Sequence, residues 1–354
     1  MEWFISHKSA LEFWLKAQTT EALAGKRLRA CKAPTKLSDT RGLRDKGLHA
    51  EGLRDSGLRA EGPHAEGPHV EGSHVEGSHV ENLFGLSKPL HILVGDSNAR
   101  KATKSLRCHI DSRRFPGGSF IQVAPGVNMC SPELCFAQMA NELTLIQLVL
   151  LGFELCGSYR LDNEGESERG FRNAPPLTNV TMLSSYIAKC DGLRGIKNAR
   201  RALRFIADGS ASPMETALTM LLTLPYKLGG YGFPLPLLNC PVHVPVNNRR
   251  IKAKSKYYCD IYWPDMQVDV EYDSDYYHTN DERIAKDAIR RNALSSVGVT
   301  VVTVSRMQIN STAELRSVAV VLGRLFNKQL KCPLPEFTVN HAALRNQVLH
   351  KRSV

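Results

Sequence analysis

The sequence predicts an α/β protein whose carboxyl-terminal part forms a mixed sheet flanked by helices. Two runs rich in β-branched and aromatic residues, 257–263 and 267–273, flank a Pro-Asp turn, which is the pattern of a β-hairpin. The run VTVVTV at 299–304 is almost continuously apolar and is typical of a buried central strand. A charged segment expected to be helical to about Ser296 lies between them, so we expect helices to connect and cover the strands.

The chain begins with a predicted short helix and a basic arm, which we assign to residues 1–41. Leu11, Trp14 and Leu15 recur at helical spacing within residues 9–17. The segment 26–46 is basic and contains proline, which predicts an exposed arm.

Residues 42–82 form a pentad repeat led by glycine, from GLRDK to GSHVE. A glycine at every fifth position fits neither the helical period nor strand alternation, and the repeat has little to bury, so we predict a disordered linker. Five of its residues are histidines, and a histidine-rich tract can bind metal. The interpretation we favour is a tandem duplication that touches no folded part.

Residues 83–208 are globular in composition and are expected to form a smaller α/β or α+β domain. Strands are expected at Leu90 and Phe120, and Ser131-Pro132 is an N-cap and first-turn proline that opens a helix through about Leu151. A second helix over 193–206 carries a basic face, which either contacts phosphates or is simply solvated. The members of this basic face are Arg194, Lys197, Arg200, Arg201 and Arg204.

The sheet-forming domain is assigned to residues 209–330. Ser212 and Pro213 open its first helix, and Glu215 stands where it completes a capping box with Ser212. A segment rich in proline and glycine follows as a loop or edge strand. The final helix, 312–330, is amphipathic and should cover the sheet, whereas the tail 331–354 is expected to be poorly ordered.

The hairpin carries a dense set of acidic residues. Asp269, Glu271 and Asp273 alternate along one strand and therefore project from one face. If the loop spans residues 263–266, Asp260 faces Asp269 across the pair and lies diagonal to Glu271. Four carboxylates this close repel one another unless a cation lies among them, and their oxygens suit Mg²⁺ or Mn²⁺. The alternative is a solvated acidic face that binds nothing.

These residues resemble a nuclease superfamily over residues 212–325, about a third of the chain. The order Asp260, a turn, Glu271-x-Asp273, His278, a charged helix with KDAIRRNALSSVG and a Val-rich strand is similar to that of the PD-(D/E)XK nucleases. The most similar branch is a bacterial domain related to the very-short-patch-repair endonucleases. The region before it is similar to abortive-infection antitoxins of the AbiEi type.

The resemblance implies a restriction-endonuclease-like fold and a set of site residues. The metal ligands that it implies are Asp260 and Asp273, together with Glu271 or the carbonyl of Tyr272. The further catalytic residues are Glu215, which would support the metal, His278 and Lys286. Asp273 stands where the superfamily has lysine, so the lysine's role must fall to His278 or Lys286, and Ser274 replaces the usual glycine.

A basic group precedes the acidic hairpin, as a phosphodiester site would require: cations for the backbone and acids for the metal. The expected nucleic-acid-binding residues are Arg249, Arg250, Lys252, Lys254 and, from the resemblance, Arg290. Lys286 lies one helical turn before Arg290 and could reach the scissile phosphate.

The composition of the chain indicates which kind of binding partner and which cellular compartment to expect. The chain has 354 residues and a formal charge of +11, which favours a polyanionic partner. Its nine cysteines form no Cys-x-x-Cys pair, which favours a reducing cytoplasm. The amino terminus lacks a signal-peptide pattern, and the strongest apolar run, 143–155, is too short to span a bilayer. We therefore expect a cytoplasmic protein that binds nucleic acid, DNA foremost, and no membrane.

Two functions are compatible with these patterns. The first is metal-dependent hydrolysis of nucleic-acid phosphodiesters by a DNA endonuclease. The second is a catalytically inactive nuclease fold that binds DNA as a regulator or antitoxin-like protein, which the missing lysine and Ser274 favour. Nucleotidyl transfer on another scaffold lacks support, because no Walker-type phosphate loop occurs.

Overall fold

The computed structural model describes residues 2–16, 29–31, 84–96, 103–162, 165, 167–245, 255–273, 281–330 and 335–349, and only the backbone of 29–31 and 281–284. These residues fall into two compact units, and the main division of the chain lies between Ser131 and Pro132. The boundary predicted between residues 208 and 209 therefore falls inside the second unit. The predicted repeat linker, 42–82, lies outside the described residues.

The first unit is built on a six-stranded mixed sheet. Its strands are β1 (Trp3–Ile5), β2 (Arg29–Cys31), β3 (Leu90–Val94), β4 (Leu106–Ile110), β5 (Phe120–Ala124) and β6 (Val127–Cys130). Their order across the sheet is β2, β5, β6, β1, β3, β4. The β1–β6 and β3–β4 pairs are parallel, and the other three pairs are antiparallel. The strands predicted at Leu90 and Phe120 are confirmed.

The predicted amino-terminal helix is confirmed as α1 (His7–Leu15), which begins two residues earlier than expected. Leu11 and Phe13 are buried. The Glu12 carboxylate accepts hydrogen bonds from the backbone N–H of Ser87 at 2.9 Å and from its hydroxyl at 2.7 Å. The apolar spacing of this helix therefore reflects packing within the fold.

The second unit begins with helices and a two-stranded sheet. Its first elements are α2 (Pro132–Met139), α3 (Leu145–Cys156), β7 (Tyr159–Leu161), β8 (Phe171–Asn173), α4 (Val180–Ala188), α5 (Ile196–Ala202) and α6 (Pro213–Thr223). The single helix predicted from Ser131 through Leu151 was wrong, because the chain forms α2 and α3 instead. Thr144 starts α3 with a capping box, in which its hydroxyl accepts from the Gln147 N–H and the Gln147 side chain accepts from the Thr144 N–H.

The helix predicted over residues 193–206 is shorter than expected. It consists of α5 followed by a 3₁₀ turn, Leu203–Phe205. All five residues of its basic face are exposed. Arg200 pairs with Asp191 at 2.6 Å.

A four-stranded mixed sheet carries the predicted hairpin. Its strands are β9 (Leu237–His243), β10 (Lys256–Trp263), β11 (Val268–Asp273) and β12 (Thr300–Ser305), in the order β12, β11, β10, β9. The β9–β10 and β10–β11 pairs are antiparallel, and β11–β12 is parallel. The helix α7 (Asp281–Ser296) connects β11 to β12, and its Leu294 packs with Tyr257, Cys259 and Val299. The mixed α/β class is thus confirmed.

The expectation that residues 299–304 form a central strand was wrong. Among the described strands, β12 lies at an edge and pairs only with β11. Val304 is fully buried, whereas Thr300 and Thr303 are exposed. An apolar run indicates that the faces of a strand are covered, and it carries no information about neighbours in the hydrogen-bonding direction.

The carboxyl-terminal region contains more ordered structure than the sequence predicted. After α8 (Arg306–Asn310), the predicted final helix is α9 (Thr312–Leu325), and a further helix, α10 (Pro335–Leu349), follows it. The expectation of a poorly ordered tail was therefore wrong. Phe337 and Leu344 of α10 are buried, the Phe337 ring lies 5.4 Å from that of Tyr231, and His341 Nδ1 lies 2.7 Å from the Gly229 carbonyl oxygen. None of the helices in the described part of the chain could cross a membrane.

Candidate active site

The acidic residues lie on the β10–β11 hairpin, in a register two residues away from the predicted one. Tyr262 pairs with Asp269 and Ile261 with Val270. The four-residue loop lies one residue later than expected, because Trp263 pairs with Val268 and the loop consists of a 3₁₀ turn over Pro264–Met266 and a left-handed Gln267 (φ 51°). The expectation that Asp260 faces Asp269 was therefore wrong. Continuing the pairing places Asp260 beside Glu271.

Asp260 lies half-buried where the two hairpin strands end their regular pairing. Its Oδ2 accepts a hydrogen bond from the backbone N–H of Tyr272 at 3.2 Å. Burial, with the nearby carboxylates of Glu215 and Glu271, raises the pKa of Asp260 from 3.8 to about 7. Asp260 therefore takes up or releases a proton near neutral pH. A neighbouring cation would stabilise its ionised form.

Glu215 approaches Asp260 from the first turn of α6, which packs against β10 and β11. Its carboxylate accepts hydrogen bonds from the Ser212 hydroxyl at 3.0 Å, the Ala211 N–H at 2.9 Å and the Asn239 side-chain amide at 2.8 Å. The Ser212 hydroxyl in turn accepts from the Glu215 N–H at 3.1 Å. Ser212 thus caps the helix, but the predicted capping box is only half formed, because the Glu215 carboxylate accepts from the Ala211 N–H in place of the Ser212 N–H. The charge of Glu215 also acts on Asp260. Burial raises the pKa of Glu215.

Asn239 is a site residue that the sequence did not reveal. It adopts a left-handed backbone conformation (φ 46°) on β9, which asparagine tolerates better than most residues. Its amide donates to the Gly209 carbonyl at 2.9 Å as well as to Glu215. It belongs to no motif and is 24 residues from Glu215 in the chain, so no sequence pattern could have paired them.

Asp269 is fully buried, so it does not belong to a solvated acidic face, the alternative that the sequence left open. Among the residues that the structure describes, none makes a hydrogen bond of acceptable geometry with either of its carboxylate oxygens. Burial, together with the charge of Glu271, raises the pKa of Asp269 from 3.8 to about 9. The thiol of Cys259 is buried beside it. Asp269 is therefore a carboxylic acid that holds its proton at neutral pH.

Arg290 of α7 supplies the positive charge of this cluster. Its Nη2 donates to Glu271 Oε1 and to the carbonyl oxygen of Tyr258. The pair is partly shielded from water, with 29% of the Arg290 side chain and 18% of the Glu271 side chain exposed. The position that the resemblance assigned to an arginine therefore lies against the acidic group.

Of the other predicted site residues, the structure describes only Asp273 and Lys286. Asp273 is half-buried opposite Ser305 of β12, two residues beyond Glu271. Lys286 is exposed on α7, one turn before Arg290. The remaining predicted residues lie outside the described part of the chain: His278, Arg249, Arg250, Lys252 and Lys254.

The donor set suits a hard divalent cation. Carboxylate oxygens from Asp260 and Glu271 and a backbone carbonyl are the ligands that Mg²⁺ and Mn²⁺ prefer. Within the described residues, no three of these carboxylates offer oxygens within 4.8 Å of one another. Binding an ion would therefore require the carboxylates to move together and Glu271 to be released from Arg290. Burial and the neighbouring carboxylates raise the pKa values of Asp260 and Asp269, and a bound cation would lower both pKa values by favouring the ionised forms.

The chain is similar to two uncharacterized proteins of Mycobacterium tuberculosis, MT2308 of strain CDC 1551 and Rv2248 of strain H37Rv. Each is 31% identical over 123 residues, which is 34% of this chain. The match spans 40% of the length of each relative. No family model matches the chain, and no solved structure matches it.

Proposed function

We propose that this chain is a metal-dependent phosphodiesterase that acts on nucleic acid, foremost a DNA endonuclease, with its site on the β10–β11 hairpin. The observation that carries the proposal is the convergence of Asp260, Glu271 and Glu215, with the pKa of Asp260 raised to about 7, beside the guanidinium of Arg290. Burying several carboxylates together is costly unless a cation offsets their repulsion. Perturbed groups of this kind cluster at functional sites.

The architecture around the hairpin supports the same assignment. A mixed sheet flanked by helices is what the PD-(D/E)XK resemblance implies, and the restriction-endonuclease-like fold is part of this proposal. The order Asp260, Glu271, Asp273 along two neighbouring strands is the order that the resemblance implies. The excess of basic residues, which gives a net charge of +11, favours a polyanionic substrate.

In the proposed site, Asp260 and Glu271 would hold Mg²⁺ or Mn²⁺, with Asp273 and the Tyr272 carbonyl as further ligands. Such an ion, when bound, polarises the phosphate and lowers the pKa of bound water. The hydrogen bond from the Tyr272 N–H fixes the orientation of the Asp260 carboxylate. Asn239 and Ser212 hold Glu215 behind it, so that the negative charge of the site is preorganised.

The basic side chains have separate tasks in this proposal. Arg290, released from Glu271, would neutralise the charge that develops on the phosphate, and Lys286 would contact the same phosphate from one turn earlier on α7. His278 would assist proton transfer, since an unperturbed imidazole titrates near neutral pH.

A catalytically inactive fold that binds nucleic acid as a regulator is the second candidate. The ion pair between Arg290 and Glu271 favours it, because a guanidinium already neutralises one of the acids that an ion would need. The two candidates differ in their response to metal. A nuclease should be stabilised by Mg²⁺ and cleave DNA, whereas an inactive fold should bind DNA without either effect.

The test compares Asp260→Asn and Glu271→Gln with the wild-type protein on single-stranded, duplex and mismatched DNA, in Mg²⁺, Mn²⁺ or chelator. Each variant keeps the shape of the side chain and removes its charge, so we expect cleavage to fall by at least about a hundredfold, the scale for loss of a preorganised electrostatic group. Asp265→Asn is the matched control, because Asp265 is exposed in the hairpin turn. Chelator should abolish cleavage by the wild type.

Full activity of the Asp260→Asn variant would contradict the assignment of this site. DNA binding by the wild type with no cleavage in any metal, and with no rise in melting temperature on adding Mg²⁺, would instead establish the inactive candidate.

A further inference from the structure

One aromatic side chain lies exposed beside the proposed site. Of the Phe, Tyr and Trp residues that the structure describes, Tyr258 alone is exposed, with 50% of its surface open to solvent. It lies on β10, two residues before Asp260. A single exposed apolar side chain is common on protein surfaces, so its surroundings decide whether it has a role.

Tyr258 belongs to an exposed strip of the β9–β10 pair. Exposed and buried residues alternate at the start of β10, and Lys256 and Tyr258 are the exposed ones. Across the antiparallel pair, Tyr258 is in register with Pro241 and Lys256 with His243, and both of these β9 residues are exposed as well. The Tyr258 ring therefore lies on a surface that a ligand can reach.

A cation accompanies the ring. Lys256 Nζ lies 4.9 Å from the centroid of the Tyr258 ring, within the range of a cation–π contact. Lys256 is exposed, so its ammonium group can move from the ring to a phosphate without losing a buried contact. A ring and an ammonium group side by side match the two parts of a nucleotide, because the base has a flat π-face and the phosphate has a negative charge.

Arg290 connects the ring to the acidic residues of the proposed site. Its Nη2 donates to the carbonyl oxygen of Tyr258 and to Glu271 Oε1. One guanidinium group thus contacts both the backbone of Tyr258 and an acid of the site. Along β10, the step from Tyr258 to Asp260 covers about 6.6 Å, since a strand rises about 3.3 Å per residue. A nucleotide whose base lies on the Tyr258 ring therefore has its backbone close to these acids.

We propose that Tyr258 and Lys256 form a stacking platform for an unpaired base of DNA, so that the substrate of the proposed phosphodiesterase is single-stranded DNA. The inference rests on the proposed function, because that function places the reacting phosphate next to the platform. Every base has a π-face, so the platform accepts any base, while Lys256 contacts the phosphate beside it. In duplex DNA the bases stack on one another, so the ring gains little from a duplex.

Binding in the absence of metal tests the platform separately from hydrolysis. With chelator present, the full-length protein is titrated into a labelled single-stranded oligonucleotide and into its duplex, and fluorescence anisotropy is measured. Tyr258→Ala should weaken single-strand binding by about fivefold to a hundredfold, the effect of losing one base–aromatic stack, and should change duplex binding by less than about twofold. Tyr258→Phe keeps the ring and should bind as the wild type does.

A second measurement reports the stacking itself. The emission of 2-aminopurine, a fluorescent adenine analogue, falls when this base stacks on an aromatic ring. In a single strand that carries the analogue, the wild type and Tyr258→Phe should quench the emission more than Tyr258→Ala does. Lys256→Gln should make the slope of log K against log salt shallower by about 0.7, the value for one phosphate contact on a single strand.

Leu237→Ala is the matched control, because Leu237 is 51% exposed on the neighbouring strand β9 and carries no ring. It should leave single-strand binding unchanged, and equal melting temperatures should verify that the variants fold. Wild-type affinity of Tyr258→Ala for the single strand, an equal loss on single strand and duplex, or a wild type that binds no single strand would overturn the platform. Loss of single-strand binding in Tyr258→Ala, with no cleavage by the wild type in Mg²⁺ or Mn²⁺, would support the platform and overturn the proposed hydrolysis.

Discussion

At the scale of single residues, the acidic hairpin is a set of charges in very different surroundings. Asp269 is fully buried, Asp260 and Glu271 are half-buried, and Asp265 is exposed in the turn. Identical side-chain chemistry therefore produces a carboxylic acid that keeps its proton at Asp269 and a group that titrates near neutrality at Asp260.

Asp269→Asn should stabilise the metal-free protein at alkaline pH. The pKa of Asp269 is raised from 3.8 to about 9, so the folded state keeps a proton that the unfolded chain releases between these values. The contribution of this proton to the free energy of unfolding is therefore fully present below about pH 4 and is lost progressively as pH rises towards 9. Asparagine is neutral throughout, so we expect a gain on the order of 1 kcal/mol or more at pH 8 and little change at pH 4.

Thermal and urea unfolding at several pH values would measure this effect. Asp265→Asn is the control, because it makes the same substitution at an exposed position of the same hairpin. If Asp269→Asn is less stable than the wild type at pH 8, the buried carboxylate is ionised and compensated by its surroundings.

At the scale of elements, the hydrophobic pattern of the sequence did not predict the helix α10 and wrongly predicted a central position for β12. The apolar residues of α10 do not form a clear stripe, so the helix was not predicted. It is nevertheless held in the second unit by Phe337 and Leu344 and by the contact of His341 with the Gly229 carbonyl. Gly229 has a φ of 88°, and a Cβ there would lie 2.3 Å from the Asn340 carbonyl oxygen, so glycine permits this close approach.

Phe337→Ala should destabilise the protein by about 3 kcal/mol, the usual cost of removing a buried phenylalanine ring. The ring packs edge-on against Tyr226 at 5.8 Å and lies 5.4 Å from the Tyr231 ring. Val339→Ala on the same helix is the control, because Val339 is 70% exposed. Equal melting temperatures for the two variants would mean that α10 contributes nothing to the stability of the unit.

At the scale of the whole molecule, the proposed binding of nucleic acid depends on the net charge and on where the charged side chains lie. The charge of +11 is spread over the chain, and the basic face of α5 and the adjoining residues concentrates five exposed cations. Arg200 is paired with Asp191, so Lys197, Arg201 and Arg204 are the members best suited to a test.

A triple variant, Lys197→Gln, Arg201→Gln and Arg204→Gln, should weaken duplex DNA binding and make it less sensitive to salt. For every cation that no longer neutralises a phosphate, the slope of log K against log salt becomes shallower by about 0.9. Fluorescence anisotropy from about 50 to 300 mM salt measures this slope. Arg316→Gln, an exposed position on α9, is the control. An unchanged slope in the triple variant would show that this face is only solvated.

The sequence by itself determined the local features of this protein. Alternating β-branched residues predicted the hairpin, and the Ser212 and Ser131 caps predicted where helices begin, because strand alternation and capping depend on residues a few positions apart. The same local information placed Asp260, Glu271 and Asp273 on neighbouring strands.

Only the tertiary structure decided which distant groups meet. The loop conformation at Gln267 set the hairpin register, and the fold brought Asn239 to Glu215 and His7 to His109. It also buried Asp269 and placed β12 at the edge of the sheet. These outcomes depend on contacts between residues far apart in the chain and on desolvation, and no single segment of the sequence contains that information.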